Sequence, residues 1–159
     1  MKLLLSLFIL IGSFSMAPPK VNNFRLKNLD NRPTTFTSLK GDQLTVIDFW
    51  ATWCKPCIKS LPKLVEISEE FKTEGVSFIG ISIDGPRNLA KVKPFARSLG
   101  VNYPVLLDTN SEVMAKLGVR VIPTLLIVNS DNEIVYFHEG YKPGEEIAIR
   151  EEILKLLEK

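Results

Sequence analysis

The sequence predicts an α/β three-layer sandwich, a mixed central β-sheet flanked by helices, with an N-terminal hairpin and a helical insert. Short apolar runs alternate with amphipathic segments over most of the chain, a pattern typical of β-α-β units with parallel strands. A hairpin pattern and a final amphipathic segment follow, and they predict antiparallel strands and a closing helix in the same domain. With 159 residues, of which 45% are hydrophobic, the chain is long enough for one domain with a full core.

The first half of the domain contains one β-α-β unit. The apolar run from Leu44 to Trp50 predicts a buried strand, and Val76 to Ile83 predicts a second one. The segment between them, Cys57 to Lys72, has its apolar residues at helical spacing, so we expect a parallel, right-handed strand pair. Ahead of this unit, Phe24 to Gly41 alternates short apolar positions with turn residues and predicts a small hairpin or edge structure.

The second half continues the alternation of helix and strand. In its first helix, Leu89, Val92 and Phe95 fall on one face, which we expect to be buried. Gly100 and Gly118 each follow a helical segment, as is typical of helix C-termini. The predicted elements are helices at 88–99, 111–117 and 145–158, an extended segment at 101–107, and a hairpin formed by 124–128 and 134–138.

Residues 1–17 are typical of an export signal or an N-terminal anchor. A lysine at position 2 precedes the apolar stretch from Leu3 to Phe14, which is too short for an ordinary spanning helix. The small residues Ser15 and Ala17 favour cleavage by a signal peptidase, whereas Pro18 disfavours it, so an uncleaved anchor is the alternative. We expect the protein in the periplasm or another extracytoplasmic space, anchored there by its N-terminus if cleavage fails. Residues 18–23 are predicted to be a linker and 24–159 the domain.

Charge excludes one large class of partner. The formal net charge of +2 arises from 20 basic and 18 acidic residues. The two signs are interspersed along the chain, so no basic stripe predicts binding to nucleic acid.

The only two cysteines, Cys54 and Cys57, lie where the first buried run changes to a helical segment. A thiolate at a helix N-terminus faces free backbone N–H groups and the positive end of the helix dipole, and both lower the pKa of the thiol. Moving a thiol pKa from about 8.5 to about 7 corresponds to roughly 2 kcal/mol, and the dipole supplies about 0.3–1 kcal/mol. The rest must come from hydrogen-bond donors aimed at the sulfur. We therefore predict a pair that cycles between dithiol and disulfide.

Two other uses of a cysteine pair fit less well. A structural zinc site needs four ligands, and the remaining candidates are the single His138 and carboxylates. A purely structural disulfide over so short a loop restricts the unfolded chain little. We expect neither a metal nor a cofactor.

Two motifs resemble the thioredoxin superfamily: the stretch from Asp48 to Cys57 and, much later, Val121 to Leu125. Further features resemble its exported TlpA/ResA-like branch and extend the resemblance from Phe24 to the C-terminus. These features are the residues 38–41, Pro62 in the helix after the cysteines, the insert 87–100 and the segment 103–108.

The resemblance implies a role for each residue of the reacting pair. Cys54 would be the exposed nucleophile, Cys57 the resolving thiol, and Asp48 the buried acceptor of the Cys57 proton. Burial raises the pKa of a carboxyl group, which suits a base near neutrality. From the residues alone, Asp48 fits equally well a strand residue facing a polar partner. Thioredoxins carry a lysine on the adjacent strand where this chain has Gly80, so we expect Asp48 to lack a cationic neighbour.

The resemblance also implies a substrate-binding surface. Ile122 and Pro123 match the cis-proline loop that lies opposite the cysteines and pairs with a substrate strand. Thr124 belongs to the same loop, and Trp53 is expected to lie beside the thiols as a gate. Without the family, an ordinary trans proline before a strand is the more common reading.

The expected function is that of an exported thiol:disulfide oxidoreductase working mainly as a reductant, with a place in cytochrome c maturation as one candidate. We expect a monomer with protein thiols and disulfides as substrates, and a membrane or periplasmic electron donor that the residues do not identify. One position departs from the branch, because Ser60 stands where many members have glutamate. Some members have an acidic residue near the strand end, where this chain has Asp84 followed by Gly85, and we assign Asp84 no catalytic role.

Two alternatives remain open from the sequence. A copper-handling protein or metallochaperone would bind metal through the cysteine pair, although related metal sites use wider spacing and histidine. A peroxidase of the peroxiredoxin kind shares the fold, but its motif has threonine three residues before the nucleophile, where this chain has Ala51.

Overall fold

The computed structural model describes residues 18–158, which form a mixed seven-stranded sheet with helices on both faces. The predicted α/β class, the N-terminal hairpin and the helical insert are confirmed. The strands are β1 (Arg25–Asn28), β2 (Pro33–Thr35), β3 (Leu44–Trp50), β4 (Val76–Ser82), β5 (Val105–Leu107), β6 (Thr124–Asn129) and β7 (Ile134–Glu139). The helices are α1 (Lys55–Glu70), α2 (Leu89–Ser98), α3 (Glu112–Lys116) and α4 (Glu145–Leu157), and a 3-10 turn covers Phe36–Ser38.

β3 lies in the interior of the sheet, between β4 and β6. The strand order is β2-β1-β5-β4-β3-β6-β7. β3 pairs with β4 in parallel, as the β-α-β pattern predicts, and with β6 in antiparallel orientation. Every residue of β3 is buried, because strands flank it on both sides and packed layers cover both of its faces.

Alternate residues of β3 belong to different layers of the core, because successive side chains of a strand point to opposite faces. Val46 packs with Leu64 of α1 and Ile153 of α4. Ile47 packs with Val113 of α3 and with Phe36. The three layers are therefore α1 and α4, the sheet, and α3 with the N-terminal turn.

One predicted buried face is wrong at Leu89. Leu89 is 37% exposed, whereas Val92 and Ala96 are the buried residues of α2. Val92 and Ala96 lie one turn apart on the same face, and Leu89 is the first residue of the helix. Periodicity identified the helix, but the placement of its end removes Leu89 from the core.

The predicted linker 18–23 is in part packed against the domain. Val21 is 2% exposed, and its N–H donates to the Asn132 carbonyl at 2.8 Å. The Ile134 N–H donates to the Pro19 carbonyl at 2.8 Å. The domain therefore begins before Phe24, because the start of β7 and the turn ahead of it hold this segment.

The predicted export signal at residues 1–17 lies outside the described residues. Between positions 18 and 158, none of the helices has the length and apolar character that crossing a membrane requires.

Candidate active site

The cysteine pair lies at the N-terminus of α1, directly after the turn that follows β3. Cys54 is the N-cap residue, and Pro56 lies in the first turn, so the helix begins two residues earlier than the predicted start at Cys57. The Cys57 N–H donates to Cys54 Sγ at 3.3 Å. A disulfide joins the two residues, whose Cα atoms are 5.3 Å apart. One backbone N–H of the first helical turn therefore faces the Cys54 sulfur, consistent with the predicted place of this residue at a helix N-terminus.

The two cysteines differ in exposure. Cys54 is 5% exposed and Cys57 is completely buried. The expectation of an exposed Cys54 is therefore corrected: in the disulfide form this residue is nearly covered. The neighbouring Trp53 is 58% exposed, so the indole lies at the surface next to the sulfur pair. An incoming group has access to Cys54 rather than Cys57.

Asp84 supports the loop that leads into the cysteines, a role that the sequence analysis missed. Its carboxylate accepts hydrogen bonds from the Thr52 N–H at 2.8 Å, the Thr52 hydroxyl at 2.6 Å and the Ser82 hydroxyl at 2.9 Å. Asp84 is fully buried. The available signal was topological: β3 and β4 are parallel neighbours, so residues just beyond their carboxyl ends meet. Asp84 thus holds the residues immediately before Cys54.

We expect Asp84→Ala to lower the free energy of unfolding by about 2–4 kcal/mol, because it leaves buried donors without an acceptor. Thr52→Val removes one donor and is expected to cost about 1 kcal/mol. Urea denaturation of the oxidised proteins measures both values. Equal stability of Asp84→Ala and wild type would contradict this supporting role.

Asp48 lies within the sheet and is 3% exposed. Its register partners are Gly80 on β4 and Leu125 on β6, so neither neighbouring strand supplies a cation at this level. Burial raises the pKa of the Asp48 carboxyl from 3.8 to about 7. The carboxyl therefore exchanges its proton near neutral pH. As expected from Gly80, no cation on the adjacent strands offsets the effect of burial.

A small cavity of about 10 Å³ connects Asp48 to other parts of the site. Ser60 and Pro123 also line it. The buried Ser60 hydroxyl donates to the Cys57 carbonyl at 3.1 Å, which ties the cavity to the cysteine turn. The structure thus brings Asp48, the start of α1 and the proline loop together.

The predicted substrate loop contains a cis peptide bond between Ile122 and Pro123. Ile122 packs against the buried cluster that contains both cysteines. Thr124 does not fit the predicted contact with substrate: it is fully buried, and its hydroxyl donates to the Val121 carbonyl at 2.8 Å. Its side chain closes the loop from inside, because β6 begins at this residue. Val121 is 49% exposed and is the loop residue available at the surface.

The remaining polar candidates have structural partners. His138 lies on β7, and its Nε2 is 3.2 Å from Glu145 Oε2. Over positions 18–158, no three histidine, cysteine or acidic side chains are grouped so that they could hold a metal ion.

The sheet topology, a disulfide at the N-terminus of α1 and a buried carboxyl group on β3 define a thioredoxin-like thiol–disulfide oxidoreductase. Comparison with known proteins agrees. Residues 19–137 match the AhpC/TSA family, and the chain belongs to this family.

Two relatives are named thiol-disulfide oxidoreductase ResA. The protein of Bacillus subtilis is 34% identical over 113 residues, which is 71% of this chain and 62% of the relative. The protein of Bacillus thuringiensis is 31% identical over 125 residues, which is 79% of this chain and 70% of the relative. The chain thus spans 62% of the length of the Bacillus subtilis protein and 70% of the length of the Bacillus thuringiensis protein.

A solved structure shows the same fold. The thiol:disulfide interchange protein of Chlorobium tepidum, a thioredoxin family protein, superposes with a TM-score of 0.74 at 23% identity. The match covers 90% of this chain and 99% of that one.

Proposed function

We propose that this chain is an exported reductant of protein disulfides. The observation that supports it best is the disulfide at the N-terminus of α1, with Cys57 fully buried and the Asp48 carboxyl poised near neutral pH. The two thiols store two electrons, and the buried carboxyl provides a proton acceptor close to the start of the helix.

In the proposed cycle, the Cys54 thiolate attacks one sulfur of a partner disulfide and the other partner sulfur leaves as a thiolate, which takes up a proton. Cys57 then loses its proton to Asp48, and its thiolate attacks Cys54 Sγ in the mixed disulfide. The second partner sulfur leaves and is protonated in turn. The partner gains two electrons and two protons, and the Cys54–Cys57 disulfide remains. An external dithiol donor must reduce it again.

The surroundings of the cysteines favour reduction of partners over their oxidation. A pair is a strong oxidant when its reduced form is stabilised, above all through the exposed thiolate. Among residues 18–158, one hydrogen bond to Cys54 Sγ is found, from the Cys57 N–H. In the reduced protein, an ionised Asp48 adds a negative charge on the strand below α1, and a like charge there disfavours a thiolate. The disulfide form is therefore favoured, which makes the dithiol a good electron donor.

The partner surface is apolar. Trp53, next to Cys54 in the chain, and Val121 on the proline loop are exposed, and the partly buried Ile122 packs against the cluster that contains Cys54. Such apolar side chains suit an extended peptide that carries a cysteine. Protein disulfides are the proposed substrates, with the cysteine pair of apocytochrome c as one candidate. The proposed electron donor is a membrane or periplasmic dithiol protein, and the chain acts as a monomer.

The test is a redox titration together with an assay of insulin reduction. Equilibration with dithiothreitol should give a reduction potential near the value of about −270 mV typical of thioredoxin. A reduction potential of about −120 mV, typical of a strong oxidant, would exclude the proposed role as a reductant. Retention of the reduced protein's insulin activity after anaerobic chelation of copper would exclude the copper alternative. Slow peroxide consumption would exclude the peroxidase.

Export rests on the sequence of residues 1–17 and needs its own test. We expect fractionation of cells to recover the full chain outside the cytoplasm. Ile9→Arg places a charge in the apolar stretch and should retain the protein inside, whereas Ile9→Leu should not. Equal distribution of the two variants would contradict export by this segment.

A further inference from the structure

Three buried polar atoms have no hydrogen-bond partner within the described part of the chain: Asp48 Oδ2, Trp50 Nε1 and the Tyr103 hydroxyl. A buried polar group without a partner lowers stability, so such groups in one place call for an explanation.

Gly80 brings the three groups around one point. It is the register partner of Asp48 on the parallel neighbour β4, so their side-chain positions share one face of the sheet. Trp50 lies two residues beyond Asp48 on β3 and shares that face. Trp50 Nε1 is 3.1 Å from the point where a Cβ of Gly80 would lie, and Tyr103 Cε2 is 3.4 Å from it. Cε2 adjoins the ring carbon that bears the hydroxyl, so this edge of the phenol points toward the same spot.

The three groups are chemically complementary. An ionised carboxylate only accepts hydrogen bonds, an indole N–H only donates, and a phenol can donate. Burial and the Asp48 charge raise the pKa of the Tyr103 phenol well above its usual range. Tyr103 therefore keeps its proton and remains a donor when Asp48 ionises.

We propose that Tyr103 and Trp50 are positioning residues that donate hydrogen bonds to the Asp48 carboxylate through one buried water, in the space that Gly80 leaves open. This inference rests on the proposed function, in which Asp48 accepts the Cys57 proton. The two neutral donors favour the ionised carboxylate, so a larger fraction of Asp48 is ionised at neutral pH and able to accept the Cys57 proton than burial alone would allow.

The other groups around Asp48 are few. Gly80 and Leu125, its partners on the two adjacent strands, carry no charge. Ser60, one turn after Cys57 on α1, lines the small cavity beside Asp48, as do His138 of β7 and Tyr141 in the loop after it. Tyr103, on the segment before β5, is the group whose titration the Asp48 charge influences.

Tyr103→Phe removes the hydroxyl and keeps the ring, whose centroid lies 5.9 Å from that of Phe78. We expect the acid dissociation constant of Asp48 to fall about tenfold, measured from the ¹³C carboxyl signal of labelled aspartate in the reduced protein. The pH midpoint of mixed-disulfide resolution should rise correspondingly, by about one pH unit, with little change in the rate at high pH. The control is Tyr136→Phe, on β7, which should leave both unchanged.

Gly80→Ala gives a second variant, since its Cβ would press on Trp50 Nε1 at 3.1 Å. This variant should also lower the acid dissociation constant of Asp48. In the unmutated protein, the ¹³Cζ signal of Tyr103 should titrate with the Asp48 midpoint. If Tyr103 is purely structural, Tyr103→Phe will lower the melting temperature and leave the titration midpoint of Asp48 unchanged. That result would overturn the inference. If Asp48→Asn leaves resolution unaffected while Tyr103→Phe still moves the Asp48 titration, the proton-acceptor role fails and the hydrogen bonds stand.

Discussion

Cys57→Ser is expected to stop turnover and to leave the protein joined to its partners through Cys54. The serine hydroxyl cannot attack the mixed disulfide, so the first bond forms and the second step does not follow. Cys54→Ser is expected to abolish both steps, because Cys57 is fully buried and an incoming disulfide cannot reach it. Each variant should lose at least about 10³-fold in insulin reduction. Mass spectrometry under non-reducing conditions identifies the captured partners.

The matched control for this experiment is Ser60→Ala. Ser60 is buried and bonded to the Cys57 carbonyl, so its replacement perturbs the same turn without removing a sulfur. We expect its rate to stay within about tenfold of wild type, because one neutral hydrogen bond contributes about 1 kcal/mol. Sustained turnover of Cys57→Ser would contradict the two-thiol cycle and favour chemistry by Cys54 alone.

The second large effect is on the pH dependence of stability, through Asp48. Its pKa is raised from 3.8 to about 7 in the folded protein, so between these values the folded state holds a proton that the unfolded state has released. Stability from this group is complete below about pH 4 and falls as pH rises toward 7. The pKa difference corresponds to a loss of about 4 kcal/mol at pH 8.

Asp48→Asn removes the ionisation and therefore this loss. We expect the oxidised variant to match wild type at pH 4 and to exceed it by up to about 4 kcal/mol at pH 8, measured by urea denaturation. Resolution of the mixed disulfide at pH 7 should be at least about 10²-fold slower, because the proton acceptor is absent. Greater stability with lower activity is the signature of a buried residue retained for function.

Asp108→Asn is the comparison that separates this effect from the general removal of a buried carboxyl group. Asp108 is 2% exposed, and its two oxygens accept the N–H groups of Glu112 and Met114 at 3.0 and 2.8 Å. Its replacement should therefore lower stability at pH 8 by about 1–3 kcal/mol. If Asp48→Asn behaves in the same way, with lower stability at pH 8, the raised pKa of Asp48 is contradicted.

Local patterns predicted most of the secondary structure and failed where an element meets the rest of the fold. The helix at 88–99 was predicted from its periodicity, yet Leu89 is exposed because helical spacing does not say how far the sheet extends beneath a helix end. The segment 18–23 has no pattern of its own, and its backbone is held by hydrogen bonds to Asn132 and Ile134, over 100 residues away in sequence. Such contacts leave no local signal.

The candidate site shows the same division. The spacing of Cys54 and Cys57 and their place before a helix were readable, because capping by a helix N-terminus is a local interaction. The resemblance to thioredoxins pointed to Asp48 and the proline loop. Thr124 was assigned to the substrate surface and is instead buried, since its position in the loop does not reveal which way its side chain turns.

The fold class, the redox-capable cysteine pair and the helix end at which it lies follow from local sequence patterns, since they depend on neighbours within a few residues. The support and tuning of the pair depend instead on contacts between segments that are distant in the chain. Asp84 reaches Thr52 because β3 and β4 end side by side, and Trp50, Tyr103 and Asp48 meet because Gly80 carries no side chain. The physical reason is that burial and hydrogen bonding between distant segments, which set the pKa of Asp48 and hold the Cys54 loop, exist only once the sheet has assembled.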